Sequence, residues 1–101
     1  FIGQIKGGIQ TVRTANPHCE FIVIATMLAN PEAIHSQIQT EYLKPVTELA
    51  GKGVAIADMT SIHGELLRHK AYQDMTGNNI NHPNDYLARW YAQVISALLI
   101  L

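Results

Sequence analysis

Two short runs of apolar residues constrain the fold more than any other feature of this chain. Residues 21–25 read Phe-Ile-Val-Ile-Ala, and residues 54–57 read Val-Ala-Ile-Ala. Neither run alternates apolar with polar residues, so each fits a strand that is buried on both faces. Strands of that kind belong to parallel sheets that are covered by helices, so the two runs predict an α/β protein.

Helical patterns flank and separate the two predicted strands. Apolar residues recur at spacings of three and four over residues 2–12, and the Asn-Pro pair at 16–17 ends this helix. Residues 30–32, Asn-Pro-Glu, are typical of a helix start, because they give a cap, a proline at the first position and an acid near the positive end of the dipole. The apolar residues that follow are Ile34, Ile38, Leu43, Val46 and Leu49, and we expect this helix to be kinked or split near Pro45.

The second half of the chain predicts two further helices. Thr60 or Ser61 can cap the first of them, and a loop over residues 72–81 follows it. The last helix is expected from Asp85 to about residue 101. The residues of its broad apolar face are Leu87, Trp90, Tyr91, Val94, Ile95 and Leu98. The order of the elements predicts right-handed crossovers onto a parallel sheet.

Two strands are few for a sheet of this kind, since sheets usually hold about five or six. A parallel pair would leave two open edges and much apolar helix surface uncovered. We therefore expect neighbouring strands to come from a missing upstream segment or from another chain. The chain begins with Phe1 rather than methionine, which we interpret as the result of cleavage or truncation.

Composition excludes several classes of protein. The chain has 101 residues, 48% of them hydrophobic and 15% charged, which suits one globular domain. Seven basic and eight acidic residues are scattered, so no basic cluster supports a nucleic-acid partner. No apolar run approaches the roughly 20 residues of a membrane span, so we expect a soluble protein, with a secreted or periplasmic location left open. The single Cys19 excludes an internal disulfide.

Polar residues follow both predicted strands at the edge where α/β proteins bind ligands. Asn30 comes soon after the first strand, and Asp58 and Thr60 follow the second. Such residues are preferred as helix caps and strand terminators, so we interpret all three as structural before functional.

His82 is the strongest candidate for chemistry, because it lies in a polar turn before the last helix. Pro83 stiffens the chain just behind it, and Asn84 can cap the helix that starts at Asp85. A histidine held in this way suits proton transfer. Asn79 lies three residues earlier, so its amide oxygen can accept the Nδ1 proton and orient the imidazole. The alternative for Asn79 is a left-handed turn residue.

Other side chains that carry chemistry give weaker patterns. His63 and His69 are six residues apart and lie on different helical faces, and Cys19 has no second cysteine nearby, so no metal site is expected. Ser36 and Ser61 lack the glycine-flanked turn that activates a serine nucleophile. The glycine-containing segments match neither a dinucleotide loop nor a phosphate loop, so no cofactor is expected.

Residues 76–85, Thr-Gly-Asn-Asn-Ile-Asn-His-Pro-Asn-Asp, followed by Tyr-Ala at 91–92, resemble the closing block of SGNH (GDSL-type) hydrolases. In that family the block usually reads Asp-x-x-His-Pro before a helix, and it supplies the acid and base of a Ser-His-Asp triad. His82 matches the base, and Asn79 stands where the family has its acid. Upstream, the Leu-Ala-Asn-Pro of residues 28–31 and the strand that ends in Asp58 are also similar to the family.

The resemblance implies that residues 1–101 are the carboxyl-terminal part of a single flavodoxin-like domain, a three-layer α/β/α fold with a parallel sheet. The family's Gly-Asp-Ser nucleophile block, oxyanion glycine and Gly-x-Asn block are not in this sequence, so they would lie in the missing upstream half of the same domain. The implied parent is a serine-dependent ester hydrolase, an acyl or acetyl esterase or a lipase-like enzyme. Its substrate would be a small ester such as an acylated carbohydrate, and this chain alone would be inactive.

Three alternatives stay open from the sequence. Asp58 or Asp85 can replace Asn79 as the group that orients His82. The chain can instead be a non-catalytic, SGNH-like module that binds a glycan or a protein. A flavodoxin-like receiver or nucleotide-binding domain is a third interpretation, which the lack of a phosphate loop disfavours.

Overall fold

A computed structural model describes residues 1–32 and 38–99. Its elements in chain order are α1 (Ile2–Ala15), β1 (Phe21–Ala25), α2 (Ile38–Thr47), β2 (Val54–Asp58), α3 (Met59–Leu66), a short 3₁₀ helix (Tyr72–Asp74) and α4 (Asp85–Leu99). The α/β class that the two apolar runs predict is therefore confirmed. None of the helices in the described ranges is long and apolar enough to cross a membrane.

Both predicted strands form, and they pair in parallel. The register runs from Phe21 opposite Val54 to Ala25 opposite Asp58. Within residues 1–32 and 38–99 the sheet has only these two strands, so each keeps one unpaired edge. The expected burial on both faces is not reached, since Ile24 is 40% exposed and most strand residues are half-buried. Two strands are too few to enclose each other's apolar side chains.

The helix ends follow the sequence signals in part. Helix α1 ends where Asn16 takes an extended conformation ahead of Pro17, as predicted. At the second predicted start, the side-chain oxygen of Asn30 accepts the N–H of Glu32 at 3.0 Å and forms a turn. The predicted contribution of Ile34 lies outside the described residues. Helix α2 contains Pro45 and extends to Thr47.

Helix α3 begins directly at the end of β2. Asp58, the last residue of the strand, accepts a 2.9 Å hydrogen bond from the backbone N–H of Ser61 and a 2.7 Å bond from its hydroxyl. Thr60 and Ser61 were the predicted caps, and that prediction is wrong. No loop separates β2 from α3. The side chain of Asp58, the last residue of the strand, is therefore placed to accept the free N–H groups of the first helical turn.

One buried cluster joins α3, α4 and the segments around them. Its members are Met27, Met59, Met75 and Leu87, and the partly buried residues packed against it are Ile62, Leu66, Leu67, Tyr72, Trp90, Tyr91 and Val94. The predicted apolar face of α4 is thus turned toward this cluster over most of its length. Helix α2 packs on both strands and has one buried residue, Val46, whereas α1 has no buried residue.

Candidate functional site

Residues 26–30, which we call the post-β1 segment, leave the carboxyl end of β1 and are held by side chains from three other elements. The N–H of Met27 donates to the Tyr91 hydroxyl at 2.7 Å, the N–H of Leu28 donates to Nδ1 of His63 at 2.9 Å, and the carbonyl of Leu28 accepts from the Tyr72 hydroxyl at 2.7 Å. Burial raises the pKa of both tyrosines, so their hydroxyl groups stay protonated at neutral pH. These bonds satisfy backbone groups that neither β1 nor β2 pairs in the described part of the chain.

The two strand ends meet at this edge, as the sequence predicts for a parallel pair. The hydroxyl of Thr60, two residues beyond β2, donates to the carbonyl of Thr26, just beyond β1. Thr60 is buried, and with Asp58 it fixes the start of α3 against the post-β1 segment. Both residues therefore have the structural roles that their positions favour.

His63 is a buried member of this edge that the sequence analysis did not single out. Its side chain is fully buried, and burial lowers its pKa. Because Nδ1 accepts the Leu28 N–H, the neutral ring carries its proton on Nε2, and that atom has no partner among the described residues. The sequence does indicate that His63 faces the core, because Met59, His63 and Leu67 recur every four residues and so lie on one helical face. His63 supports the post-β1 segment and is too enclosed to meet a substrate.

The 77–82 loop carries His82 and is closed at its base. Thr76 and Pro83 form an antiparallel bridge, and the N–H of Gly77 donates to the His82 carbonyl at 2.9 Å. Immediately after the bridge, the side-chain oxygen of Asn84 accepts the N–H of Leu87 at 3.1 Å. Helix α4 therefore begins at Asp85 with Asn84 as its cap, as predicted.

The 77–82 loop lies against the post-β1 segment. The N–H of Asn30 donates to the carbonyl of Ile80 at 2.8 Å, and its side-chain Nδ2 donates to the carbonyl of Asn79 at 2.8 Å. Asn30 is buried, so these bonds hold the loop without competition from water. His82 consequently belongs to a loop that is anchored at the edge where the strands end.

Asn79 has the left-handed backbone conformation that was its alternative interpretation, with φ at 56°. Its side-chain oxygen lies 3.4 Å from Nδ2 of Asn30. Asn79 therefore contacts the post-β1 segment. The polar groups next to the His82 imidazole come from other residues of the loop. The catalytic role of Asn79 stays a prediction.

The His82 ring is exposed, and its Nδ1 faces two asparagine side chains. Oδ1 of Asn81 lies 2.6 Å from Nδ1, and Nδ2 of Asn78 lies 3.0 Å from it. Oδ1 of Asn78 in turn accepts the backbone N–H groups of Ile80, Asn81 and His82 at 3.0, 3.0 and 3.1 Å. Asn78 and Asn81 could not be predicted as partners of His82, because only the folded path of the loop brings their side chains next to the imidazole.

The two carboxylates that were considered as alternatives to Asn79 have other partners. Asp58 caps α3, and Asp85 forms an exposed ion pair of 3.0 Å with Arg89. In the part of the chain that the structure describes, neither makes a hydrogen bond to the imidazole of His82, and no group of three or more potential ligands is placed to hold a metal ion.

Comparisons with protein-family models, with curated proteins and with solved structures find no match to this chain. The function proposed below therefore depends on the geometry of the 77–82 loop and on the resemblance of residues 76–85.

Proposed function

We propose that this chain supplies the general base of a serine-dependent ester hydrolase, and that His82 is that base. The observation that carries the proposal is the 2.6 Å contact between Nδ1 of His82 and Oδ1 of Asn81, on an exposed ring. A proton on Nδ1 leaves the lone pair of Nε2 ready to accept another proton. A histidine in this state matches the role that the SGNH resemblance gives to position 82.

The proposed reaction is acyl transfer from a small ester, such as an acyl group on a carbohydrate. A serine hydroxyl attacks the ester carbonyl while Nε2 of His82 takes its proton, and the same proton then passes to the leaving alcohol. Water repeats the sequence on the acyl-serine and releases the acid. The serine and the oxyanion donors would come from polypeptide outside these 101 residues.

The same proposal extends the fold to a three-layer, flavodoxin-like α/β/α domain. In the described part of the chain, β1 and β2 each have an unpaired edge, and Ile24 leaves 40% of its surface exposed. An upstream half of the domain would add strands to this sheet and cover such apolar side chains. It would also bring the serine to the edge where the 77–82 loop lies.

Ester hydrolysis by the native polypeptide that carries this chain tests the assignment, with p-nitrophenyl acetate as the substrate. His82→Ala should lower kcat/KM by about 10²–10⁴-fold, the usual contribution of a general base. His69→Ala is the matched control, because His69 is an exposed histidine whose ring lies 3.7 Å from the Glu65 carboxylate, and this variant should keep full activity. Near-normal turnover by the His82→Ala protein would contradict the proposal.

A non-catalytic module that binds a glycan or a protein is the second candidate. The observation that favours it is the row of exposed amide side chains at Asn78, Asn79 and Asn81, since amide groups hydrogen-bond well to sugar hydroxyls. In that case the native polypeptide hydrolyses no ester, and His82→Ala changes only its binding to glycans, as measured on a glycan array. Activity that is lost with His82 decides for the hydrolase.

A further inference from the structure

We infer that Asn78 and Asn81 are positioning residues that hold the His82 imidazole with its proton on Nδ1. This inference rests on the proposed function for its catalytic meaning, because a base needs its reactive nitrogen unprotonated. The tautomer itself is a property of this chain and needs neither serine nor substrate. The resemblance assigned the orienting role to Asn79, so the inference moves that role to two neighbouring residues.

The backbone of the 77–82 loop fixes the orientation of the Asn78 amide. Its Oδ1 receives three backbone N–H groups, from Ile80, Asn81 and His82. An NH₂ group cannot accept any of them, so oxygen and nitrogen of this amide cannot be interchanged. Nδ2 of Asn78 therefore points the other way, where it donates to Oδ1 of Asn81 at 3.1 Å.

The side-chain oxygen of Asn81 fixes the position of the proton on the His82 ring. Oδ1 of Asn81 already accepts from Asn78, so the atom that lies 2.6 Å from Nδ1 of His82 is an oxygen. Two acceptors at that distance would repel each other, and a proton on Nδ1 converts the contact into a short hydrogen bond. Nδ2 of Asn78 has a second hydrogen that an unprotonated Nδ1 could accept at 3.0 Å, but that alternative would leave the 2.6 Å contact with the Asn81 oxygen without a proton between two acceptors.

Asn79 makes its contacts with the post-β1 segment and not with the His82 ring. Its carbonyl accepts from Nδ2 of Asn30 at 2.8 Å, and its side-chain oxygen faces the same nitrogen at 3.4 Å. Its φ of 56° suits asparagine and glycine. Asn79 therefore anchors the loop to the post-β1 segment, and its side chain can be removed without loss of the imidazole's partner.

The test is the tautomer of His82, measured by long-range ¹H–¹⁵N spectra of the ¹⁵N-histidine-labelled chain at about pH 9, where histidine side chains are neutral. Wild type should show a proton on Nδ1 and a bare Nε2. Asn81→Ala should reverse the pattern, since the remaining neighbour, Nδ2 of Asn78, is a donor and Nδ1 must then accept. Asn81→Asp keeps an acceptor oxygen and should restore the wild-type pattern.

Asn79→Gly is the matched control, because glycine tolerates the left-handed φ and only the side chain is lost. It should keep the wild-type tautomer. A proton on Nε2 in wild type, or a reversal in Asn79→Gly but not in Asn81→Ala, would overturn the inference.

Activity of the native polypeptide separates this inference from the proposed function. Asn81→Ala should lower kcat while KM stays nearly constant, and Asn81→Asp should recover most of the loss. If the tautomer behaves as expected but no protein hydrolyses an ester, the proposed function fails and the positioning role stands. If His82→Ala abolishes hydrolysis but the tautomer ignores Asn81, the function stands and the positioning role fails.

Discussion

At the scale of single residues, the protonation state of His63 decides whether its ring can bind the backbone of the post-β1 segment. Its Nδ1 accepts the Leu28 N–H at 2.9 Å, and the Tyr72 ring lies 5.5 Å from it, centre to centre. A proton on Nδ1 would turn that acceptor into a donor and place two N–H groups face to face. Burial, which lowers the pKa of His63, acts in the same direction.

We expect the free energy of unfolding to fall as pH drops below the ordinary histidine pKa of about 6.5. The folded pKa is depressed, so below that pH the unfolded chain binds the proton and the folded chain does not. The contribution of His63 is therefore complete above about pH 6.5 and decreases until pH reaches the folded-state pKa. Each unit of depression is equivalent to about 1.4 kcal/mol. Urea unfolding at a series of pH values measures the slope.

His63→Asn and His69→Asn are the matched variants for this slope. Asparagine at position 63 can keep an acceptor for the Leu28 N–H but does not titrate, so the pH dependence over this window should largely disappear. His69 is an exposed histidine, and its replacement should leave the slope unchanged. If His63→Asn keeps the wild-type slope, or if His63 in wild type titrates as it does in the urea-unfolded chain, the prediction is wrong.

The role of a residue near the site could be predicted from the sequence only where its immediate neighbours in the chain indicate that role. His82 before a proline and Asn84 before a helix have such signals, and Asn84 does cap α4. Asn78 and Asn81 do not, because their contacts depend on how the 77–82 loop folds back on itself. The role of His63 could not be predicted from the spacing of histidines, because its partner is a backbone N–H in another segment.

At the scale of elements, the junction between the 77–82 loop and α4 depends on Asn84. Its Oδ1 caps the helix at the Leu87 N–H, and its Nδ2 donates to the Asp74 carbonyl at 2.7 Å. Asn84→Ala removes both bonds and should destabilise the chain by about 1–2 kcal/mol, the upper part of the range for a lost cap. The change in the urea midpoint at constant slope measures this loss.

Asn84→Ser separates the two bonds of that side chain. Serine is also a preferred capping residue and offers an oxygen to the Leu87 N–H, but it loses the donor to Asp74 without placing a second acceptor against that carbonyl. It should therefore cost less stability than Asn84→Ala. Equal losses in the two variants would show that the cap contributes little and that the bond to Asp74 dominates.

Element boundaries were readable where local chemistry decides them. The Asn-Pro pair at 16–17 ends α1, and the two apolar runs become β1 and β2 with nearly the predicted limits. The start of α3 was misplaced, because a cap supplied by the last residue of a strand looks, in the sequence, like part of that strand. The local bond from the Ser61 N–H to the Asp58 carboxylate, three residues apart in the chain, sets that boundary.

At the scale of the whole molecule, the apolar composition of the two strands predicted their parallel pairing correctly. It also predicted burial on both faces, which the strands do not reach. The parallel order is confirmed by the register between Phe21 and Val54 at one end and Ala25 and Asp58 at the other. Several large apolar side chains nevertheless remain exposed in the described residues: Phe1, Val12, Ile24, Ile38, Ile80, Tyr86 and Leu99. Of these residues only Ile24 lies on a strand. It adds exposed apolar surface to β1, whose outer edge is unpaired in the described residues.

That combination predicts self-association of the isolated chain, because an open edge flanked by apolar surface is a template for another strand. Multi-angle light scattering of the wild-type chain should give an average mass that rises above 11.2 kDa as concentration increases. Ile24→Lys should hold the mass near the monomer value, since a charged lysine on an edge opposes pairing. Gln93→Lys adds the same charge to an exposed position on α4 and should associate like wild type. Equal association of the two lysine variants would show that net charge, rather than the sheet edge, controls the process.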